Sequence, residues 1–213
     1  MLRPKRLTNL QARALEAYRS TYCIDFHEEG SDELTEFLTS APAIMEIGFG
    51  MGEVTAAFAQ AHPDKHILGL DVFLPGVGKL LYEIHERRLE HVRIIVHDAV
   101  EVISHMIPAD SLAGVHIFFP DPWPKKRHHK RRLVQVPFLQ SLIPLLQKQG
   151  YIYMATDWED YALQMLEACR GVEELENSSN GFCEPQSWRP MTKFEKRGLA
   201  KDHVIREILV RKR

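Results

Sequence analysis

Glu46 stands two residues before the turn Gly48-x-Gly50-x-Gly52, and Glu53 follows it at once. Glycines at this spacing, between an apolar strand-like run and a helix-like run, let a ligand approach bare backbone. Asp71 lies 23 positions beyond Gly48, at the end of the next apolar run, where such folds place a partner for ribose hydroxyls. A dinucleotide prefers the spacing G-x-G-x-x-G, which sets its pyrophosphate against helix N–H groups. Two flanking carboxylates are poor neighbours for a pyrophosphate and better ones for a cation. S-adenosylmethionine carries a sulfonium and an ammonium and no phosphate. Its ribose suits Asp71, its adenine amine suits Asp98, and the backbone N–H near Ala99 suits a ring nitrogen. The charge pattern favours this methyl donor over a nicotinamide cofactor.

A second chemistry-bearing stretch runs Phe118-Phe-Pro-Asp121-Pro-Trp123-Pro-Lys125. Two prolines stiffen the backbone around one carboxylate, and Trp123 offers a face for stacking a base, worth about 1–3 kcal/mol. Lys125, Lys126, Arg127, Lys130, Arg131 and Arg132 then put six cations into eight positions, with His128 and His129 between them. The chain as a whole has 27 basic and 29 acidic residues, a net charge of −2, so this block is a local feature on a mildly acidic body. It suits a polyanion contact in which phosphates fix register. Eleven histidines show no pair with a third partner at metal-ligand spacing, so no metal is expected. Cys23, Cys169 and Cys183 form no C-x-x-C pair, which fits a reducing, cytoplasmic setting.

Alternating apolar runs and helix-like runs must position these groups. The sequence predicts helices over 8–22 and 31–39, then strand 43–47, helix 53–61, strand 66–71, helix 76–89, strand 92–96, helix 99–106 and strand 114–119. A helix over 132–148, with possible kinks at Pro137 and Pro144, strand 151–155 and helix 158–170 follow. Strand signals near 172–177 and 203–211 are weaker. This alternation predicts an α/β fold with a parallel sheet and right-handed crossovers, in which ligands bind beyond the carboxyl ends of the strands. Glu46 to Gly52, Asp71, Asp98, Asp121 and Asp157 all fall there and are expected to share one edge. With 213 residues and 45% hydrophobic content, the chain fits one large domain with extensions. The expected division is an N-terminal helical extension, 1–40, and a catalytic domain, 41–213. No apolar run reaches the roughly 18 residues a bilayer requires, and no signal-peptide stretch follows the basic N-terminus.

The run Phe-Phe-Pro-Asp-Pro-Trp-x-Lys-x-Arg-His-x-Lys-Arg-Arg at 118–132 resembles the signature of the bacterial tRNA (guanine-N7-)-methyltransferase family. The Glu46 glycine loop, His97-Asp98-Ala99-Val100-Glu101, Ala155-Thr156-Asp157-Trp158 and Thr192-Lys193-Phe194-Glu195 are similar to the family pattern in the same order. The likeness runs from about residue 40 to the C-terminus. It implies a class I S-adenosylmethionine-dependent methyltransferase, Rossmann-like, with a mostly parallel seven-stranded sheet and helices on both faces. It implies methylation of N7 of a guanine in the tRNA variable loop. Cofactor contacts would fall at Glu46, Asp71, Asp98 and Asp121. Substrate contacts would fall at Lys125, Asp157, Thr192, Lys193, Phe194 and Glu195, and Arg127 to Arg132 would touch RNA. Asp71 departs slightly, since many relatives carry glutamate there. A carboxylate at Asp121, and a second at Asp157, suit the paired N1–H and N2–H₂ donors that only guanine presents. A methyltransferase for another substrate, such as DNA adenine, an RNA-binding scaffold without catalysis and a nicotinamide oxidoreductase are the competing readings. The residues leave monomer or homodimer open.

Overall fold

The computed structural model describes residues 7–189, 191, 195 and 204–213. The chain forms two compact units, Met1–Ile107 and Pro108–Arg213. The mixed seven-stranded sheet runs β3-β2-β1 through the first and β4-β5-β7-β6 through the second.

In the first unit, α1 (Asn9–Tyr22) begins at a capping box. Gln11 N–H donates to the Thr8 hydroxyl at 3.3 Å, and Thr8 N–H donates to the Gln11 side chain at 2.9 Å, satisfying two donors that a helix start leaves open. Helix α2 (Asp32–Thr39) is capped by Ser31. The strands β1 (Ala43–Ile47), β2 (His66–Leu70) and β3 (Val92–Ile95) pair in parallel, Ile47 opposite Leu70 and Leu70 opposite Ile95. All five residues of β1 are buried, as a strand covered on both faces must be. Between the strands lie α3 (Glu53–Ala61), α4 (Leu74–Arg87) and α5 (Ala99–His105). Helix α1 crosses α4 at Gly78, where an added Cβ would stand 2.6 Å from the Gln11 carbonyl oxygen. Beyond α1, Ile24 N–H donates to the Ile94 carbonyl at 2.9 Å, so the N-terminal segment is tied to β3 as well.

In the second unit, β4 (Leu112–Phe118) and β5 (Leu146–Thr156) are parallel, with Phe118 opposite Ala155. Strand β7 (Arg206–Lys212) runs antiparallel to β5, and the two-residue β6 (Leu175–Glu176) antiparallel to β7. Helix α7 (Glu159–Arg170) leads away from β5.

The expected helix over 132–148 is a correction. The basic stretch Lys126–Arg131 forms a 3₁₀ turn, and α6 spans only Val136–Leu142. Pro137 starts that helix instead of kinking it, because proline's missing N–H costs nothing in a first turn. Pro144 lies in a short 3₁₀ turn, Ile143–Leu145, and the chain then enters β5 at Leu146, five residues earlier than predicted. That entry is irregular. Gln149 has φ 64°, and the register with β4 shifts between Leu112 and Gly114.

Candidate active site

The first unit gathers the groups expected to hold the cofactor. Parallel pairing of β1, β2 and β3 brings their carboxyl ends, and the residues just beyond, to one edge. Gly48, Gly50 and Gly52 have φ of 74°, 58° and 71°, a left-handed run that only glycine adopts without strain. A Cβ at Gly48 or Gly50 would meet nothing within 4 Å, so the backbone there faces open space. At Gly52 a Cβ would stand 2.7 Å from Leu80, so that glycine serves packing on α4.

Asp71 braces this loop. Its Oδ2 accepts from Gly50 N–H at 2.7 Å and its Oδ1 from Phe73 N–H at 2.8 Å. Burial raises its pKa, and the N–H groups of Phe73, Gly50 and Val72 pull it back. Each carboxylate oxygen has a further lone pair, so the brace leaves capacity for a ribose diol. Glu46 is 4% exposed. Burial pushes its carboxyl up to about 7, and the Asp71 charge adds to the rise. The Thr55 hydroxyl lies against Glu46 and offsets part of the rise, but without closing a hydrogen bond of ordinary geometry. A buried carboxyl with a raised pKa beside an open glycine turn has the chemistry to favour a cationic ligand such as S-adenosylmethionine. Asp98 caps α5, its Oδ1 accepting from Val100 N–H at 2.8 Å, and it remains exposed. Ala99 opens that helix.

Sequence reasoning missed Gly76. A Cβ there would stand 1.7 Å from the Gly50 carbonyl oxygen, so the first turn of α4 rests directly on the glycine loop. Two glycines inside a helical run, Gly76 and Gly78, are the signal that was available, since each disfavours the helix by about 1 kcal/mol relative to alanine.

The second unit holds the groups expected to meet substrate. Asp121 and Asp157 follow the carboxyl ends of the paired strands β4 and β5. Asp121 is exposed, and its carboxylate makes no hydrogen bond or ion pair among the described residues. Its loop is strained, since Phe119 has φ 52° and Trp123 φ 44°. Bulky residues hold such angles only where the surroundings fix them. Here Phe119 N–H donates to the Ala155 carbonyl at 2.8 Å, and Arg132 Nε donates to the Pro122 carbonyl at 2.8 Å.

Arg132 is therefore a correction to the expected RNA face. Its side chain is 1% exposed. Nη1 donates to Gln164 and Nη2 to Asp160, each at 2.6 Å, and the guanidinium lies 4.8 Å from the Tyr161 ring centroid. It locks the Asp121 loop onto α7 and has no surface to offer phosphate. Lys125, Arg127, Lys130 and Arg131 are exposed, and His128 and His129 are half-buried. His129 stands beside Arg132 and Asp160. Arg131 lies 5.0 Å over the Trp123 ring, covering one face of the indole expected to stack a base.

Asp157 is exposed and borders a shallow groove with Trp158, Asp160, Leu163, Val204 and Arg206. Thr192, Lys193 and Phe194 lie outside the described residues. Glu195 is 2% exposed and paired with Arg189, so within the expected substrate motif this carboxylate is turned into the protein. Among the described residues no group of three or more His, Cys, Asp or Glu side chains could hold a metal ion.

Comparison with known proteins bears on the family and the fold. A family model described as a putative methyltransferase matches residues 40–208. The tRNA (guanine-N(7)-)-methyltransferase of Nitrosospira multiformis is 48% identical over 213 residues, covering 100% of this chain and 93% of the relative. That of Paracidovorax citrulli is 50% identical, covering 99% and 84%. Among solved structures, the 16S rRNA methyltransferase KamB aligns with a TM-score of 0.60 at 13% identity, covering 86% of this chain and 94% of that one. The aminoglycoside resistance methyltransferase NpmB1 aligns at 0.57 with 16% identity, covering 85% and 93%. These two likenesses speak to the fold alone. Identity near one half across the full length, on a glycine turn and a Pro-Asp-Pro loop of this geometry, decides the family: the chain belongs to the tRNA (guanine-N(7)-)-methyltransferases.

Proposed function

We propose that this protein transfers a methyl group from S-adenosyl-L-methionine to N7 of a guanine in the variable loop of tRNA, in the cytoplasm. The observation that carries the reading furthest is the Asp121 loop: a strained, proline-flanked backbone presents a carboxylate unengaged among the described residues, and five exposed cations follow within ten residues. A carboxylate so placed can accept two parallel bonds from N1–H and N2–H₂ of guanine, and the cations can hold the flanking phosphates.

S-adenosylmethionine supplies an electrophilic methyl on its sulfonium. Guanine N7 is an sp² nitrogen with a free lone pair, so methylation removes no proton and leaves a cationic purine. The attack needs no strong general base, and the residues have other work to do. Glu46 and Asp71 favour a cationic, ribose-bearing ligand at the glycine turn. Asp121, with Asp157, orients the base and offsets the positive charge that grows on the ring. Lys125 holds phosphate.

The test is nucleoside mass spectrometry of tRNA after incubation with enzyme and methyl donor, alongside turnover and cofactor affinity for Asp121→Ala. The expected result is 7-methylguanosine with the parent protein. For the variant, turnover should fall about 10²-fold or more while S-adenosylmethionine still binds. Near-normal turnover by Asp121→Ala on intact tRNA overturns the assignment.

A further inference from the structure

Apart from the Arg132 ties behind the Asp121 loop, the described residues of the second unit hold a dense polar cluster inside its core. Arg189 is 5% exposed at the side chain, and Glu195 and Glu207 are each 2% exposed. One guanidinium nitrogen, Nη2, bridges both carboxylates. Nε donates to the Tyr153 hydroxyl at 3.3 Å, and that hydroxyl in turn donates to the second oxygen of Glu207. The Gln186 N–H also donates to the same phenol at 3.3 Å. The guanidinium carbon lies 5.6 Å from the centroid of Phe118, the last residue of β4. Phe118, Tyr153 and Trp188 wall the cluster with aromatic rings.

Three connections meet at this one side chain. Through Glu195 it holds the end of the Thr192–Glu195 motif. Through Phe118 it bears on the strand that enters the Asp121 loop, one residue before the left-handed Phe119. Through Tyr153 and Glu207 it is fixed to β5 and β7, and β5 ends at Asp157. A planar fork can make these contacts together, where an ammonium cannot. Nη1 is buried with no hydrogen-bond partner among the described residues, and a buried ion pair is itself poor value against apolar packing.

We propose that Arg189 is a positioning residue of the methyl transfer, seating Glu195 and the carboxyl end of β4 in one fixed geometry. The inference rests on the reading that Asp121 and the Thr192–Glu195 motif serve the reaction. Displacement of a reacting group by about 1 Å costs roughly 10²-fold in rate, so loosening this hub acts on turnover more than on binding.

The experiment compares the parent with Arg189→Lys and Arg189→Met by steady-state methylation of tRNA, with S-adenosylmethionine titration and circular dichroism on each. Arg189→Lys keeps the charge and loses the fork. It is expected to stay folded, to hold KM for tRNA within about threefold, and to lose at least about tenfold in kcat. Arg189→Met is expected to lose about 10²-fold in kcat. A lysine variant with kcat within twofold of the parent overturns the proposal, as does a loss confined to KM, or a lysine variant that does not fold. Failure of the underlying reading looks different: Asp121→Ala then turns over tRNA at a near-normal rate, or the parent itself yields no 7-methylguanosine.

Discussion

Gly76→Ala tests how the glycine loop is held. In an ordinary helix this exchange stabilises by up to about 1 kcal/mol, because alanine restricts the unfolded chain. Here the added Cβ would stand 1.7 Å from the Gly50 carbonyl oxygen and 2.8 Å from its carbon, and both are backbone atoms that cannot rotate away. Restoring van der Waals contact requires a separation of roughly 1.5–2 Å between α4 and the loop. Overpacking of that kind costs about 1–3 kcal/mol. At about 2–4 °C per kcal/mol for a chain of this size, the thermal midpoint should fall by about 2–12 °C. The same shift pulls Gly50 N–H from Asp71, a bond of 2.7 Å to a carboxylate, worth about 1.5–3 kcal/mol. Affinity for S-adenosylmethionine, measured by isothermal titration, should therefore drop at least about tenfold. Gly48→Ala is the control. Its Cβ meets nothing within 4 Å, so its cost is the left-handed backbone alone, about 1–2 kcal/mol. A Gly76→Ala protein that melts at or above the parent and binds the methyl donor within twofold of it would refute the reasoning.

Glu46 gives a pH prediction. Its folded pKa of about 7 exceeds the ordinary 4.5, so its contribution to stability is full below about pH 4.5 and is lost as pH rises through 7. The span corresponds to on the order of 3 kcal/mol. Melting curves of the unliganded parent should decline across that window more steeply than those of Glu46→Gln, and parallel curves would count against it. Cation binding at Glu46 should release a proton near pH 7, so the titration heat for S-adenosylmethionine should vary with the buffer's ionisation enthalpy. Arg132→Ala and Arg131→Ala should separate structure from RNA contact. The first loses the bonds to Pro122, Gln164 and Asp160 and should destabilise by about 2–4 kcal/mol. The second should melt like the parent while its tRNA affinity weakens and its salt slope falls by about 1. Equal melting losses in both would remove the distinction.

Local pattern carried much of this architecture. The mostly apolar runs Ala43–Ile47, His66–Leu70 and Val92–Ile95 show buried parallel strands because covering both faces of a strand leaves few polar positions to alternate, Glu46, His66 and Arg93 being the exceptions. The glycine turn is equally local, since left-handed backbone at every second residue, Gly48, Gly50 and Gly52, leaves few other choices. Helix ends at Thr8, Ser31 and Asp98 are fixed by side chains reaching two or three residues along the chain. The misjudged stretch, 132–148, contained two prolines whose effect depends on whether they fall in a first turn or an interior one, and apolar periodicity does not say which.

Side-chain direction over long separations was beyond local pattern. Arg131 and Arg132 are neighbours of one type, yet one lies outside over Trp123 and the other is buried against Gln164 and Asp160, 28 to 32 residues away. Glu195 reads as a motif acid, but Arg189 and the core of the second unit draw it inward. Asp71 reads as a ribose partner and also proves to be the brace of Gly50. Sequence by itself determined the element order, the glycine turn and the family, because these depend on residue types at short fixed spacing. Tertiary structure decided which charges face solvent and which act as internal ties, because a buried charge needs a partner and the fold alone determines where that partner stands.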